Sequence, residues 1–179
     1  MLIKNTERRF GLISIALHWI IALLMIALII VGLYMTRIPI SAWKLKLFRW
    51  HKEFGMLVLM LALVRLTWRL INPVPSLSNL PLWEIIAARL AHYAFYGFMF
   101  LLPITGLLLS SAAGIPGVFF GLFVFPDMID PNESLRLAFT NYHAWLSYLL
   151  IALLSVHIAA SFKHHFINKD DILKRILWP

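Results

Sequence analysis

Cysteine is absent from the 179 residues. That excludes disulfides, thiolate–metal sites and cysteine-ligated iron–sulfur clusters. Charge is also scarce: only 13% of residues are Asp, Glu, Lys or Arg, while 61% are hydrophobic. A soluble domain does not tolerate that ratio, but an integral membrane protein with short loops does. Acids are the scarcest charged type, eight against sixteen bases. The apolar runs hold none except at their ends, so no proton or cation relay of the transporter kind is apparent. The net charge of +8 would suggest nucleic acid in a soluble chain. Here the bases sit at the ends of apolar runs, which favours membrane orientation instead.

Four runs are long enough to span a bilayer. They predict an all-α integral membrane protein, a four-helix transmembrane bundle in a single domain, 1–179. The helices are expected at about 11–35, 51–70, 84–113 and 142–163. The first run exceeds a signal-peptide core and has no small-residue cleavage site, so it is read as a span. Pro103 lies inside the third run and predicts a kink there. The connection from Ile71 to Trp83 carries Asn72-Pro73, Pro75 and Pro81, which is turn chemistry. The long loop 114–141 contains Gly117 to Phe125 (GVFFGLFVF), nine residues, too few for a helical span. It lies in the interface or folds back as a cap. Ten bases fall on the side of the termini and six on the other, so the positive-inside rule predicts cytoplasmic termini.

The fourth run carries His143 and His157. Fourteen residues is about four helical turns, or roughly 21 Å of rise, so both lie near one stripe at opposite membrane faces. His18 matches His157 in depth, and His51 matches His143. A histidine in hydrocarbon needs partners for its ring nitrogens. One reading is interhelical hydrogen bonding. The other is haem, whose iron accepts one imidazole from each side between facing helices. Two imidazoles at one level without a third ligand make a poor zinc site.

Nearly the whole chain resembles the bacterial cytochrome b561 family of four-helix di-haem b-type cytochromes. The resemblance rests on Leu17-His18-Trp19, on Trp50-His51-Lys52-Glu53-Phe54-Gly55 and on Leu63-Val64-Arg65 through Asn72-Pro73. Ala91-His92, His143 and His157 add to it, and the ending Lys163-His164-His165-Phe166-Ile167-Asn168-Lys169-Asp170-Asp171 is its most specific piece. It implies two haem b groups in the bacterial inner membrane. They are held by His18 with His157 and by His51 with His143.

Other residues carry more than one reading each. Arg65 meets a haem propionate or snorkels to the interface. His92 bonds a propionate, lines a quinone pocket, replaces His18 as a ligand, or is a satisfied bundle histidine. His164 and His165 form a quinone site or an interfacial polar end. Lys44, Lys46, Arg49 and Lys52 alternate with apolar residues. They anchor an interfacial helix or form a funnel that draws a small anion such as superoxide. Some members of the resembled family pass electrons from superoxide at the periplasmic face to ubiquinone, which makes that the expected reaction. The alternative is an electron-transfer subunit for a periplasmic dehydrogenase or hydrogenase, docked through the acidic stretch Asp127 to Glu133. The lipid bilayer is the one partner common to both.

Overall fold

Two helix starts in this chain are set by polar caps that lie outside the apolar runs. In the computed structural model, which describes residues 2–76 and 80–178, Ser41 and Asn132 start two of the helices. The Ser41 hydroxyl accepts from the Lys44 amide, and the Asn132 side chain accepts from the Leu135 amide. Each satisfies one of the orphan donors of a first turn. The helices are α1 (Leu12–Met35), α2 (Ala42–Ile71), α3 (Leu82–Ala112) and α4 (Glu133–Phe162). Their length and composition let all four cross a membrane.

Two of them begin about nine residues before their apolar runs. His51 and His143 therefore lie more than two turns inside α2 and α4, not at their openings. The basic stretch before His51 is helical and continuous with the span. α3 runs unbroken through Pro103. Residues 77–79, in the proline-rich connection, and the end residues 1 and 179 of the expected domain lie outside the described residues.

α4 does not stop at the apolar boundary either. It widens into a π-helix, Lys163–Asn168, which ends at Lys169 in the left-handed region (φ 55°). A short α5 (Lys174–Leu177) follows. Close backbone packing joins α3 to α4, α1 to α2 and α2 to α3. Ile21, Val58, Ala62 and Met99 form the buried centre between α1, α2 and α3. α4 contributes a single buried residue, Leu150.

The nine-residue apolar stretch folds back as an antiparallel hairpin, β1 (Gly117–Phe119) and β2 (Phe123–Phe125). Phe119 is buried against Met56 of α2 and Leu107 of α3. The turn places Phe120 and Gly121 at positive φ, 48° and 74°. That conformation suits Gly121 and strains Phe120. Phe120 is steadied by an edge-on contact with Phe54, 5.2 Å between centroids. Lys52 ties the hairpin to α2: its Nζ donates to Ser110 Oγ at 3.0 Å and to the Pro116 carbonyl at 2.9 Å.

The other end of the bundle is closed by the N-terminal segment. Asn5 is buried; its Oδ1 accepts from the Gly11 amide and from Ser14 Oγ, and its Nδ2 donates to the Pro73 carbonyl. Trp68 Nε1 donates to Ser14 Oγ, and Trp19 Nε1 to the Ile176 carbonyl. One side chain thus fixes the start of α1 and the end of α2. Replacing Asn5 by Ala leaves buried donors and acceptors unpaired, at about 1–3 kcal/mol. Asn5→Ala is expected to lower the unfolding temperature in detergent by several degrees, and Asn5→Asp, which keeps the accepting oxygens, by less.

Candidate functional site

Two pairs of imidazoles meet inside the bundle. His51 on α2 faces His143 on α4, with ring centroids 6.1 Å apart and planes at 72°. His18 on α1 faces His157 on α4 at 6.4 Å and 58°. α4 supplies one member of each pair, so the pairs stand roughly 21 Å apart along its axis. The structure thus brings together the same residues that depth had matched in the sequence.

Small residues make room for the His51/His143 pair. A Cβ added at Gly32 of α1 would stand 3.2 Å from His51 Cε1, and one at Gly106 of α3 would stand 3.6 Å from His143 Cε1. Thr105 orients His143. Its hydroxyl donates to the Leu102 carbonyl at 2.9 Å, so its oxygen is left to accept from His143 Nδ1–H at 3.0 Å. That hydrogen bond fixes the tautomer and leaves His143 Nε2 bare. His51 has no such bond: its Nδ1 is buried without a hydrogen-bond partner, so packing alone holds the ring.

The His18/His157 pair sits in a richer cluster. His92 lies 6.5 Å and Phe95 5.1 Å from the His157 ring. Arg65 turns inward, its Nη2 3.2 Å from His18 Nδ1 and its guanidinium 5.9 Å from the Tyr96 ring centroid. It does not snorkel. Arginine only donates, so His18 Nδ1 accepts and the neutral ring holds its proton on Nε2. Among the described residues no three His, Cys, Asp or Glu side chains converge where they could hold a metal ion.

The profile of the prokaryotic cytochrome b561 family matches residues 9–179. The chain belongs to that family. Cytochrome b561 homolog 2 of Escherichia coli K12 is 36% identical over 180 residues, covering 99% of this chain and 95% of the relative. Homolog 1 of the same organism is 30% identical over 177 residues, 94% and 97% of the two chains. The probable superoxide oxidase CybB of Yersinia pestis is 24% identical over 177 residues, 96% and 97%. As a b561-family member the chain is a multi-pass protein of the bacterial inner membrane that serves haem b electron transfer.

The imidazole pairs fit that cofactor in spacing. Iron bonded at about 2 Å to one nitrogen of each ring would set the centroids about 6 Å apart. The helices that bear the pairs, α1 with α4 and α2 with α4, are not among those in close backbone contact, as a macrocycle between them requires. The His143 tautomer fits directly. His18 can present a bare Nε2 only once Arg65 ceases to donate to its Nδ1, and a propionate is the anion that would draw Arg65 away.

The remaining predicted residues separate. Of the four cations near the opposite end, Lys46 and Arg49 are exposed. Lys44 Nζ donates to the Ile38 carbonyl, and Lys52 is the hairpin tie. Arg49 also lies 3.9 Å from the buried Glu53, beside a cleft of about 630 Å³ lined by Trp50, Phe54 and Phe120. His164 points among carboxylates, whereas His165 contacts Phe166 and keeps a buried Nδ1 without a partner. Thr105, Gly32 and Gly106 escaped sequence reasoning, because each acts on a histidine of another helix.

The glycine contact gives a direct test. Gly32→Leu forces a side chain into the His51 ring and is expected to lower haem content per chain. Gly55→Ala adds a Cβ that meets nothing within 4 Å and is expected to leave haem content unchanged, both read from the reduced-minus-oxidised spectrum.

Proposed function

We propose that this chain holds two b haems, one on His51 and His143 and one on His18 and His157, and passes electrons from superoxide to ubiquinone. The observation that carries this is the two imidazole pairs, 6.1 Å and 6.4 Å between centroids, both anchored on α4. When bound, haem supplies a one-electron iron couple. Two imidazoles per iron leave no open position for dioxygen, which suits electron transfer rather than oxygen chemistry. Thr105 holds the His143 ring with its bare nitrogen inward. Arg65 supplies a positive charge free to turn from His18 to a propionate, and His92 a further ring beside His157.

With the termini in the cytoplasm, the His51/His143 pair lies toward the periplasm, below the exposed Lys46 and Arg49. Those cations draw a small anion and raise its rate of arrival. The name of the Yersinia pestis relative, a probable superoxide oxidase, supports superoxide as the donor. The bilayer supplies ubiquinone to the cytoplasmic end.

Purified protein with haem bound is expected to be reduced by superoxide and reoxidised by a short-chain ubiquinone. Lys46→Glu combined with Arg49→Glu is expected to slow the first step and to flatten its dependence on ionic strength. Stopped-flow absorbance measures both. Haem that superoxide leaves oxidised would sink the superoxide reading.

Thr105→Val removes the acceptor from His143 Nδ1–H and makes the imidazole a weaker electron donor. One of two midpoint potentials is expected to rise while the other stays in place, as read by redox titration.

A second reading is supported by the exposed Asp127 and Asp130 in the connection before α4. They offer an acidic patch for a periplasmic dehydrogenase or hydrogenase. Stoichiometric co-purification of such a partner would favour it.

A further inference from the structure

The acids of α3 and α4, Glu84 and Glu133, stand in first turns. Glu53 stands about three turns inside α2, and its side chain is only 7% exposed. Its one ion pair among the described residues is with Arg49, a turn earlier, at 3.9 Å, too long for a hydrogen bond. Among the described residues no hydrogen-bond donor reaches this carboxylate. A buried charge so weakly paired is costly.

The carboxylate lines the cleft of about 630 Å³ between α2 and the hairpin turn. Trp50, Phe54 and Phe120 give the cleft its aromatic wall, and the largely exposed Arg49 gives it a cationic rim. Aromatic faces attract ammonium groups, and Lys46 Nζ already stands 4.7 Å from the Trp50 centroid. A carboxylate within, rings beside it and a guanidinium at the rim complement one kind of ligand. It carries an ammonium at its tip and an anion close behind.

The surroundings belong to the membrane surface. The hairpin exposes Phe120, Leu122, Phe123 and Val124, and Trp43 on α2 is also exposed. Trp43 and Trp50 stand where the basic start of α2 gives way to its apolar run, as in an interfacial aromatic belt. A surface of this kind meets lipid headgroups and the first carbons of their acyl chains.

We propose that the cleft is a site for a phospholipid with a primary-ammonium headgroup, an ethanolamine phospholipid. The ammonium points at Glu53 and donates the hydrogen bonds that the carboxylate lacks. The phosphate meets Arg49, which turns from Glu53 toward it. The ethanolamine arm is short, a reach suited to two side chains one helical turn apart. The acyl chains run past Phe54 and the exposed side of the hairpin. A choline headgroup has the same charge but no N–H for Glu53, and a glycerol headgroup has no cation at all. The zwitterion adds no net charge, so Lys46 and Arg49 still attract an anion from a distance. Trp50 and Phe54 flank His51 on α2, so the occupant buttresses the turn that carries a ring with no hydrogen bond at its Nδ1.

The test is native mass spectrometry of the detergent-purified, haem-loaded chain, with dioleoyl phospholipids of ethanolamine, choline and glycerol added one at a time. The parent is expected to retain the ethanolamine lipid about tenfold better than the other two, the scale of one charge-assisted hydrogen bond. Glu53→Gln is expected to keep the haem content and to bring the ethanolamine lipid down to the level of the choline lipid. Arg49→Gln is expected to weaken both of these alike, because both carry the same phosphate. A parent that retains the ethanolamine and choline lipids equally, or the glycerol lipid best, overturns the proposal, and the parent alone decides this whether or not Glu53→Gln folds. A preference for ethanolamine that survives in Glu53→Gln overturns it as well, since the ammonium is then read elsewhere. Retention of both lipids unchanged in Arg49→Gln overturns the two-ended fit.

Discussion

An imidazole in hydrocarbon has to satisfy its nitrogens without water. That requirement shapes the interior of this bundle. α4 places two rings on one stripe, and α1 and α2 each bring one ring to meet them. The supporting residues follow from the same need. Thr105 can accept from His143 because its own proton is already given to the Leu102 carbonyl. Gly32 lies so close to His51 that an added Cβ would crowd the ring, and Gly106 lies at van der Waals contact range from His143.

The two ends of the bundle differ in chemistry. The end near the hairpin is cationic and aromatic, with Lys46 over Trp50 and Phe120 against Phe54. Lys52 there is a structural tie, and its neighbour His51 stands in the imidazole pair, so the hairpin is coupled to that pair through adjacent residues of one helix. The terminal end is a mesh of hydrogen bonds and ion pairs, with Asn5, Trp68 and Ser14 on one side and Glu84, Lys163, His164 and Asp170 on the other. An anion arriving from water needs positive charge and an approach. A quinone being reduced within lipid needs protons. In the function proposed above, each end would carry the chemistry that matches one of these tasks.

Much of this was legible in the sequence. The four spans follow from run length and the lack of charge. The matching of His18 with His157 and of His51 with His143 follows from the fixed rise of a helix, which converts residue number to depth. The helix starts were less legible, since an apolar run marks the hydrocarbon and not the helix. Ser41 and Asn132 are the true starts, and their capping chemistry was there to read. The hairpin was readable only as a segment too short to span. The inward turn of Arg65 and the meeting of Glu84 with His164 were not readable, because they join helices far apart in the chain. Nothing local distinguishes an arginine that snorkels from one that bonds a histidine on another helix.

α4 carries one histidine of each pair, yet buries only Leu150 and packs its backbone closely on α3 alone. On α3, however, its backbone packing is the most extensive between any two helices, followed by that of α1 on α2. The bundle is thus two helical hairpins, and each imidazole pair spans the seam between them, His18 and His51 on one side and His143 and His157 on the other. Whatever joins the two rings of a pair also joins the two halves of the molecule.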